Sequence, residues 1–176
     1  MKYSETPLPG AFVIEPEPIV DERGSFARTF DRAEFEARGL DAAVVQCSAS
    51  FNHHRGTLRG MHYQAEPHAE AKLVRCTRGA IYDVIVDLRP DSAAYRGWFG
   101  VELSAAAGKM LYVPTGLAHG FLTVEDASEV HYQISTGYVP SAARGVRFDD
   151  PAFAIEWPEP ALVISEADRT RPDFAP

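Results

Sequence analysis

Apolar and polar residues alternate at period two through much of this chain, in short runs broken by turn signals. That pattern constrains the fold more than any other feature. In Val45-Gln46-Cys47-Ser48-Ala49-Ser50-Phe51-Asn52 the odd positions are apolar and the even ones polar. This is the repeat of a strand whose side chains point alternately to two faces. Further strand-like runs span residues 58–64, 72–76, 80–88, 99–103, 110–113, 118–124 and 130–135. Arg55-Gly56, Arg78-Gly79, Arg89-Pro90-Asp91-Ser92, Ala107-Gly108 and Thr115-Gly116 separate them, as turn residues should. Many short strands with close turns predict an all-β fold, an antiparallel sandwich or barrel. One segment departs from the pattern. Asp31 is placed as an N-cap, Glu34 follows three residues on, Phe35 is apolar and Gly39 sits where a C-cap belongs, which predicts a helix of about two turns. After Tyr138 the chain is proline-rich, with five prolines between Pro151 and Pro176, and is expected to wrap the barrel as irregular chain.

Length fits one domain over residues 1–176. The formal net charge is −8, with no long basic cluster, which argues against nucleic acid or a membrane surface as partner. The opening MKYSETPLPGAFVIEPEP lacks an uninterrupted apolar stretch, and no apolar run approaches a membrane span. Cys47 and Cys76 lack CxxC spacing, so both are expected to be small core residues in a reducing, cytoplasmic setting.

Several polar residues fall on selected strand faces. Gln46, Ser48, Ser50 and Asn52 share one, and the alternation leaves open whether it meets solvent or the interior. His62 lies among apolar and aromatic residues in Leu58-Arg59-Gly60-Met61-His62-Tyr63-Gln64. Lys72 shares a face with Val74 and Cys76, and an ammonium there needs a partner or a task if that face is interior. Arg59 and His62 have opposite strand parity, so an ideal strand cannot aim both inward; a bulge at Gly60 would re-aim one of them. Gly108-x5-Pro114-x-Gly116-x2-His119 matches the second motif of the cupin superfamily. In the first motif, Gly56-x5-His62-x-Gln64, glutamine stands where metal-binding cupins carry a second histidine. With Lys72 close by, His62, Gln64, Glu70 and His119 make a poor ligand set, and no metal or other cofactor is expected.

Several motifs, in order along nearly the whole chain, resemble the dTDP-4-dehydrorhamnose 3,5-epimerases, metal-free cupins of deoxysugar biosynthesis. They are Asp21-x-Arg23-Gly24-x-Phe26, Arg59-Gly60-Met61-His62-Tyr63-Gln64, the segment GAIYDVIVDLR at 79–89, and PTGLAHGF at 114–121. Tyr132 and Tyr138 keep the family's tyrosine spacing, and Asp150-Pro151, Ile155-Glu156-Trp157-Pro158 and Ser165-x-x-Asp168 resemble its C-terminal motifs. The resemblance implies a cupin jelly-roll barrel and epimerisation at C3, C5 or both of a nucleotide-linked 4-keto-6-deoxyhexose. It implies His62 as the base, Asp168 bonded to the other ring nitrogen, Lys72 beside the ketone oxygen, and Tyr132 as the acid on the opposite face. Arg23 and Arg59 would hold the diphosphate, Tyr138 would stack on the nucleotide base, and His119 and Gln46 would line the sugar pocket. It further implies a homodimer in which Arg23 and Phe26 reach the partner subunit's site.

Three departures from the family pattern bear on specificity. Arg28 stands where the family has Glu, Gln46-x-Ser48-x-Ser50 replaces Gln-x-Asn-x-Ser, and the loop at His53-His54-Arg55 is slightly longer. They leave room for a CDP- or GDP-sugar, or for inversion of one carbon only. The residues alone also admit a sugar-nucleotide 3,4-ketoisomerase, a metal-dependent cupin such as a dioxygenase, and a non-catalytic sugar-binding cupin.

Overall fold

Strand pairing begins earlier than the alternation predicts. The structure, a computed structural model, describes residues 1–175. Strand β1 (Lys2–Glu5) pairs with β2 (Phe12–Glu15), and β3 (Ile19–Asp21) with β4 (Gly24–Phe26), each antiparallel. Helix α1 (Arg32–Glu36) follows. Its N-cap is Asp31, whose carboxylate accepts from the Ala33 and Glu34 N–H groups, and its own Phe35 is buried. Then come β5 (Gln46–Asn52), β6 (Thr57–Gln64), β7 (Lys72–Arg78), β8 (Ala80–Asp87), β9 (Trp98–Ser104), β10 (Met110–Val113), β11 (Leu117–Thr123) and β12 (Ser128–Ile134). These eight match the expected strands to within about two residues. The proline-rich remainder is not wholly irregular: it adds β13 (Ala143–Gly145), β14 (Val163–Ile164) and α2 (Glu166–Arg169).

Two sheets face each other as an antiparallel jelly roll. One has the order β1-β2-β10-β7-β12-β5, the other β13-β6-β11-β8-β9, with β14 alongside β6; the β3–β4 hairpin stands apart. Between the sheets lies a core that includes Val74, Cys76, Leu111 and Val130 from the first and Ile81, Ile85, Leu103 and Phe121 from the second. The first sheet's outer face is covered at one end by α1, through Phe35, and by Leu40 just after it, against Leu73, Met110 and Tyr112. The second sheet's outer face is covered by the C-terminal chain, with Val146 and Phe153 packing on Met61, Val84, Val86 and Ala118. Burial on both faces explains why β8 reads as a continuous apolar run rather than an alternation.

Strand β5 reverses the usual sense of its own pattern. Its apolar positions Cys47, Ala49 and Phe51 are exposed, while Asn52 is buried. Cys47 is therefore not a core residue, although Cys76 is. The polar positions turn inward because this end of the barrel is not packed with apolar side chains.

Candidate active site

The unpacked end is a cavity of about 600 Å3. Its walls come from both sheets. Gln46, Ser48, Lys72, Tyr132 and Ile134 belong to the first; Leu58, Arg59, His62, His119 and Phe121 belong to the second. Tyr138, Glu70 and the segment from Val163 to Asp168 complete the rim. The volume is in the range of small-molecule sites, and the lining mixes apolar walls with few convergent polar groups.

The parity conflict between Arg59 and His62 is resolved by a bulge. His119 lies opposite His62, and Phe121 opposite Arg59. Three steps along β6 thus span two along β11, so one extra residue lets both side chains turn inward. Gly60 is required there. Its φ is +139°, and a Cβ would meet the Gly120 Cα at 2.5 Å.

His62 and Asp168 form a pair, Nε2 to Oδ1 at 2.7 Å. Asp168 arrives from far along the chain. Strand β14 runs parallel to the first half of β6, pairing Val163 with Thr57, and β13 pairs with the second half. Helix α2 begins between them, capped by Ser165, whose hydroxyl accepts from the Asp168 N–H at 3.1 Å. The second carboxylate oxygen faces the Gly60 N–H at 3.5 Å. Burial alone would raise the Asp168 carboxyl; the bonds from His62, Ser165 and Gly60 outweigh it and hold the group below the usual carboxylate range. With Nε2 engaged, Nδ1 is the remaining ring nitrogen.

A second histidine–aspartate pair lies beside the first. His119 Nε2 meets Asp83 Oδ1 at 2.7 Å, and Asp83 Oδ2 is buried without a partner among the described residues. Asp83 is absent from the sequence-derived candidates. Its signal was a lone carboxylate in the apolar run of residues 80–86, but its partner is 36 positions away and only the β8–β11 register joins them.

Lys72 is buried and ion-paired with Glu70 at 2.9 Å; it also donates to the His62 carbonyl at 3.3 Å. Gln64 is not available as a metal ligand. Its amide donates to Glu70 and to the His68 and Gly137 carbonyls, and its oxygen accepts from the Val139 N–H. Among the described residues, no three His, Cys, Asp or Glu side chains are grouped to hold a metal ion. Tyr132 sits with its ring edge-on to His119. Burial pushes its phenol well above the ordinary value, opposed chiefly by the Ser50 hydroxyl. At the rim, Gln46 Oε1 accepts from the Tyr138 N–H at 2.8 Å, leaving the Tyr138 ring exposed.

Eight of the ten expected site residues therefore line one cavity: His62, Asp168, Tyr132, Lys72, Gln46, Arg59, His119 and Tyr138. Arg23 and Phe26 do not. Arg23 clamps Asp21 within the β3–β4 hairpin, and Phe26 is 69% exposed. Arg28 is likewise outside the cavity, paired with Asp31 at 3.1 Å. No helix among the described residues is long and apolar enough to cross a membrane.

Comparison with known proteins agrees with this geometry. The family model described as dTDP-4-dehydrorhamnose 3,5-epimerase matches residues 5–176. The enzyme of that name from Methanothermobacter thermautotrophicus is 44% identical over 171 residues, covering 96% of this chain and 91% of its own. The crystal structure of the Elizabethkingia anophelis NUHP1 enzyme superposes with a TM-score of 0.96 at 38% identity, covering 99% of this chain and 96% of that one. The dTDP-6-deoxy-D-glucose-3,5-epimerase of Legionella pneumophila Philadelphia 1, solved in complex with dTDP-4-keto-L-rhamnose, superposes at 0.89 with 32% identity over 95% of this chain and 89% of its own. With a family-model match over nearly its whole length, this chain belongs to the dTDP-4-dehydrorhamnose 3,5-epimerase family.

Proposed function

We propose that this cupin epimerase inverts C3 and C5 of dTDP-4-keto-6-deoxy-D-glucose, with His62 as base and Tyr132 as acid. One observation carries the assignment: His62 and Tyr132 enter the same cavity from opposite sheets. A sugar ring between those walls meets a base on one face and a proton donor on the other, as inversion requires.

The steps follow from the residues. His62 Nδ1 takes the proton from the carbon beside the ketone. The C–H electron pair becomes a C=C bond, and the carbonyl π pair moves onto oxygen as an enolate. Lys72 has three N–H donors; Glu70 and the His62 carbonyl use two, and the third serves the enolate oxygen. Charge fixed in advance at a developing oxyanion is usually the largest catalytic contribution. When the enolate collapses, the carbon takes the Tyr132 hydroxyl proton on its other face. A high phenol pKa still suits this step, because the acceptor is a carbanion. Asp168 fixes the His62 tautomer and balances the imidazolium. The half-exposed His62 ring and the phenolate then exchange protons with water. Every group in this route is a side chain of the protein, so it calls for no cofactor.

Arg59 and Tyr138, at the cavity mouth, suit a diphosphate and a nucleotide base. Among the described residues the β3–β4 hairpin pairs with no other strand, and an isolated two-stranded ribbon is marginal in water. Its exposed Ile19, Val20 and Phe26, with the exposed Val45 and Phe51, suit a homodimer in which Arg23 and Phe26 complete the partner's site. A monomer in sedimentation equilibrium at micromolar concentration overturns that part.

The test is incubation with dTDP-4-keto-6-deoxyglucose in D2O, read by NMR and mass spectrometry. Deuterium at both C3 and C5 is expected. Label at one carbon makes the protein a mono-epimerase. Migration of the ketone makes it a 3,4-ketoisomerase. No exchange with any nucleotide-linked 4-ketohexose overturns the assignment.

A further inference from the structure

Asn52 lies behind the cavity wall rather than in it, at the end of β5, and is almost wholly buried. Its side-chain oxygen accepts from Arg59 Nε at 2.8 Å. Its nitrogen donates to the Ser128 carbonyl at 3.2 Å, and to the Ser50 carbonyl and hydroxyl at 3.3 and 3.4 Å. The contacts fix the amide's direction. Reversed, its N–H groups would face the Arg59 N–H and its oxygen would face two carbonyls, both repulsive. One neutral side chain thus ties β5 and β12 to the arginine at the cavity mouth.

The choice of a neutral partner is the informative point. Arg23, Arg55, Arg89 and Arg147 also have Nε engaged by a side chain, and in each case the acceptor is a carboxylate, of Asp21, Glu159, Asp87 and Asp149. Those guanidinium groups are held and neutralised together. Arg59 is held by an amide, and among the described residues no carboxylate pairs with it. It is oriented while its full charge stays available. Its Nη edge, free of Asn52, is the fork that grips phosphate oxygens bidentately.

We propose that Asn52 is a positioning residue for diphosphate binding, setting Arg59 at the cavity mouth without cancelling its charge. This rests on the reading of Arg59 as a phosphate ligand. Pre-ordering a long, flexible side chain removes an entropic cost otherwise met on binding. The effect belongs to substrate binding rather than to the proton transfers, so it falls on KM and on dTDP affinity, not on kcat.

The test is a double-mutant cycle on the intact protein, with dTDP binding by calorimetry and steady-state rates on dTDP-4-keto-6-deoxyglucose. N52A is expected to weaken dTDP binding and raise KM by roughly tenfold, with kcat within about twofold of wild type. In an R59A background N52A should change dTDP affinity by less than about twofold, because its route of action is gone. If N52A does not fold, N52S replaces it: serine keeps a hydroxyl near Ser50 and Ser128 but cannot reach Arg59. N52D keeps an acceptor for Arg59 Nε, but it neutralises the guanidinium and sets its second oxygen against the Ser128 and Ser50 carbonyls; its dTDP affinity should also fall. Equal losses from N52A in the wild-type and R59A backgrounds, or a loss confined to kcat, overturn the inference alone. An R59A protein that binds dTDP as tightly as wild type overturns the reading of Arg59, and the inference with it.

Discussion

The two histidine–aspartate pairs in the cavity have the same length and opposite surroundings. Both bonds run from Nε2 to Oδ1 at 2.7 Å. In the His62 pair the ring is 44% exposed and the carboxylate 8%; in the His119 pair the values are 5% and 0%. Asp168 comes from a four-residue helix near the end of the chain and is bonded at both oxygens. Asp83 stands in a central strand with one oxygen unpartnered. A base that removes substrate protons and returns them to solvent needs water at its edge. A group that holds a substrate oxygen in one place does better sealed. On the proposed function, solvent access and the element that supplies the carboxylate divide identical side-chain chemistry into a proton carrier and a fixed polar wall.

Turnover gives the largest separation. H62N should lower kcat by about 10^3 to 10^4, within the span of a lost general base, and abolish deuterium entry at both carbons. Affinity for dTDP should change by less than about threefold, since His62 does not touch the nucleotide in the proposed pose. H119N should cost about tenfold in kcat/KM, the scale of one polar contact, and leave deuterium entry in place. Equal losses in the two variants, or exchange that survives H62N, would break the division of roles.

What the sequence made legible follows the same contrast. His62, Lys72 and His119 could be placed because each interrupts or completes a local pattern: a polar group in an apolar strand, or a motif of fixed spacing. The Gly60 bulge was readable as a conflict of parity between Arg59 and His62. Period two showed that β5 is a strand but not which face is wet, because the sign of burial depends on whether the barrel end is filled. Strands β1, β3 and β4 carry no readable alternation: they are three or four residues long and almost wholly exposed. Asp83 and Asn52 were not among the expected site residues, for a common reason. Each bonds a residue in another strand, and strand register is not written locally.

Stability should order the pairs the other way. Removing Asp83 leaves a void and an unpaired ring inside the barrel, so D83A should cost about 3 kcal/mol. D168A should cost about 1 kcal/mol, because its helix is short and peripheral and the His62 ring can turn to water. For a chain of this length these correspond to Tm losses of roughly 6–12 °C and 2–4 °C. A larger loss for D168A would show that α2 is part of the cooperative core and not an appended clasp.

The smallest effect is a pH dependence of stability carried by the carboxylate of the more exposed pair. The Asp168 carboxyl is held below its unfolded value, net of the burial that opposes this. Unfolding in acid therefore takes up a proton at this site. Its contribution to stability is fully present above the unfolded value near pH ~4 and is lost as pH falls through the lower folded value. Asp87 is also lowered, burial again being outweighed by its bonds with Arg89 and Ser92, so the acid limb does not vanish when Asp168 is replaced. The measurement is the difference in unfolding free energy between wild type and D168N from urea titrations at stepped pH. That difference should be flat from pH 7 to about pH 5 and shrink towards zero below about pH 4. A difference that instead grows on acidification would mean that Asp168 is raised rather than lowered. It would then be an acid held neutral behind His62 and unable to balance the imidazolium.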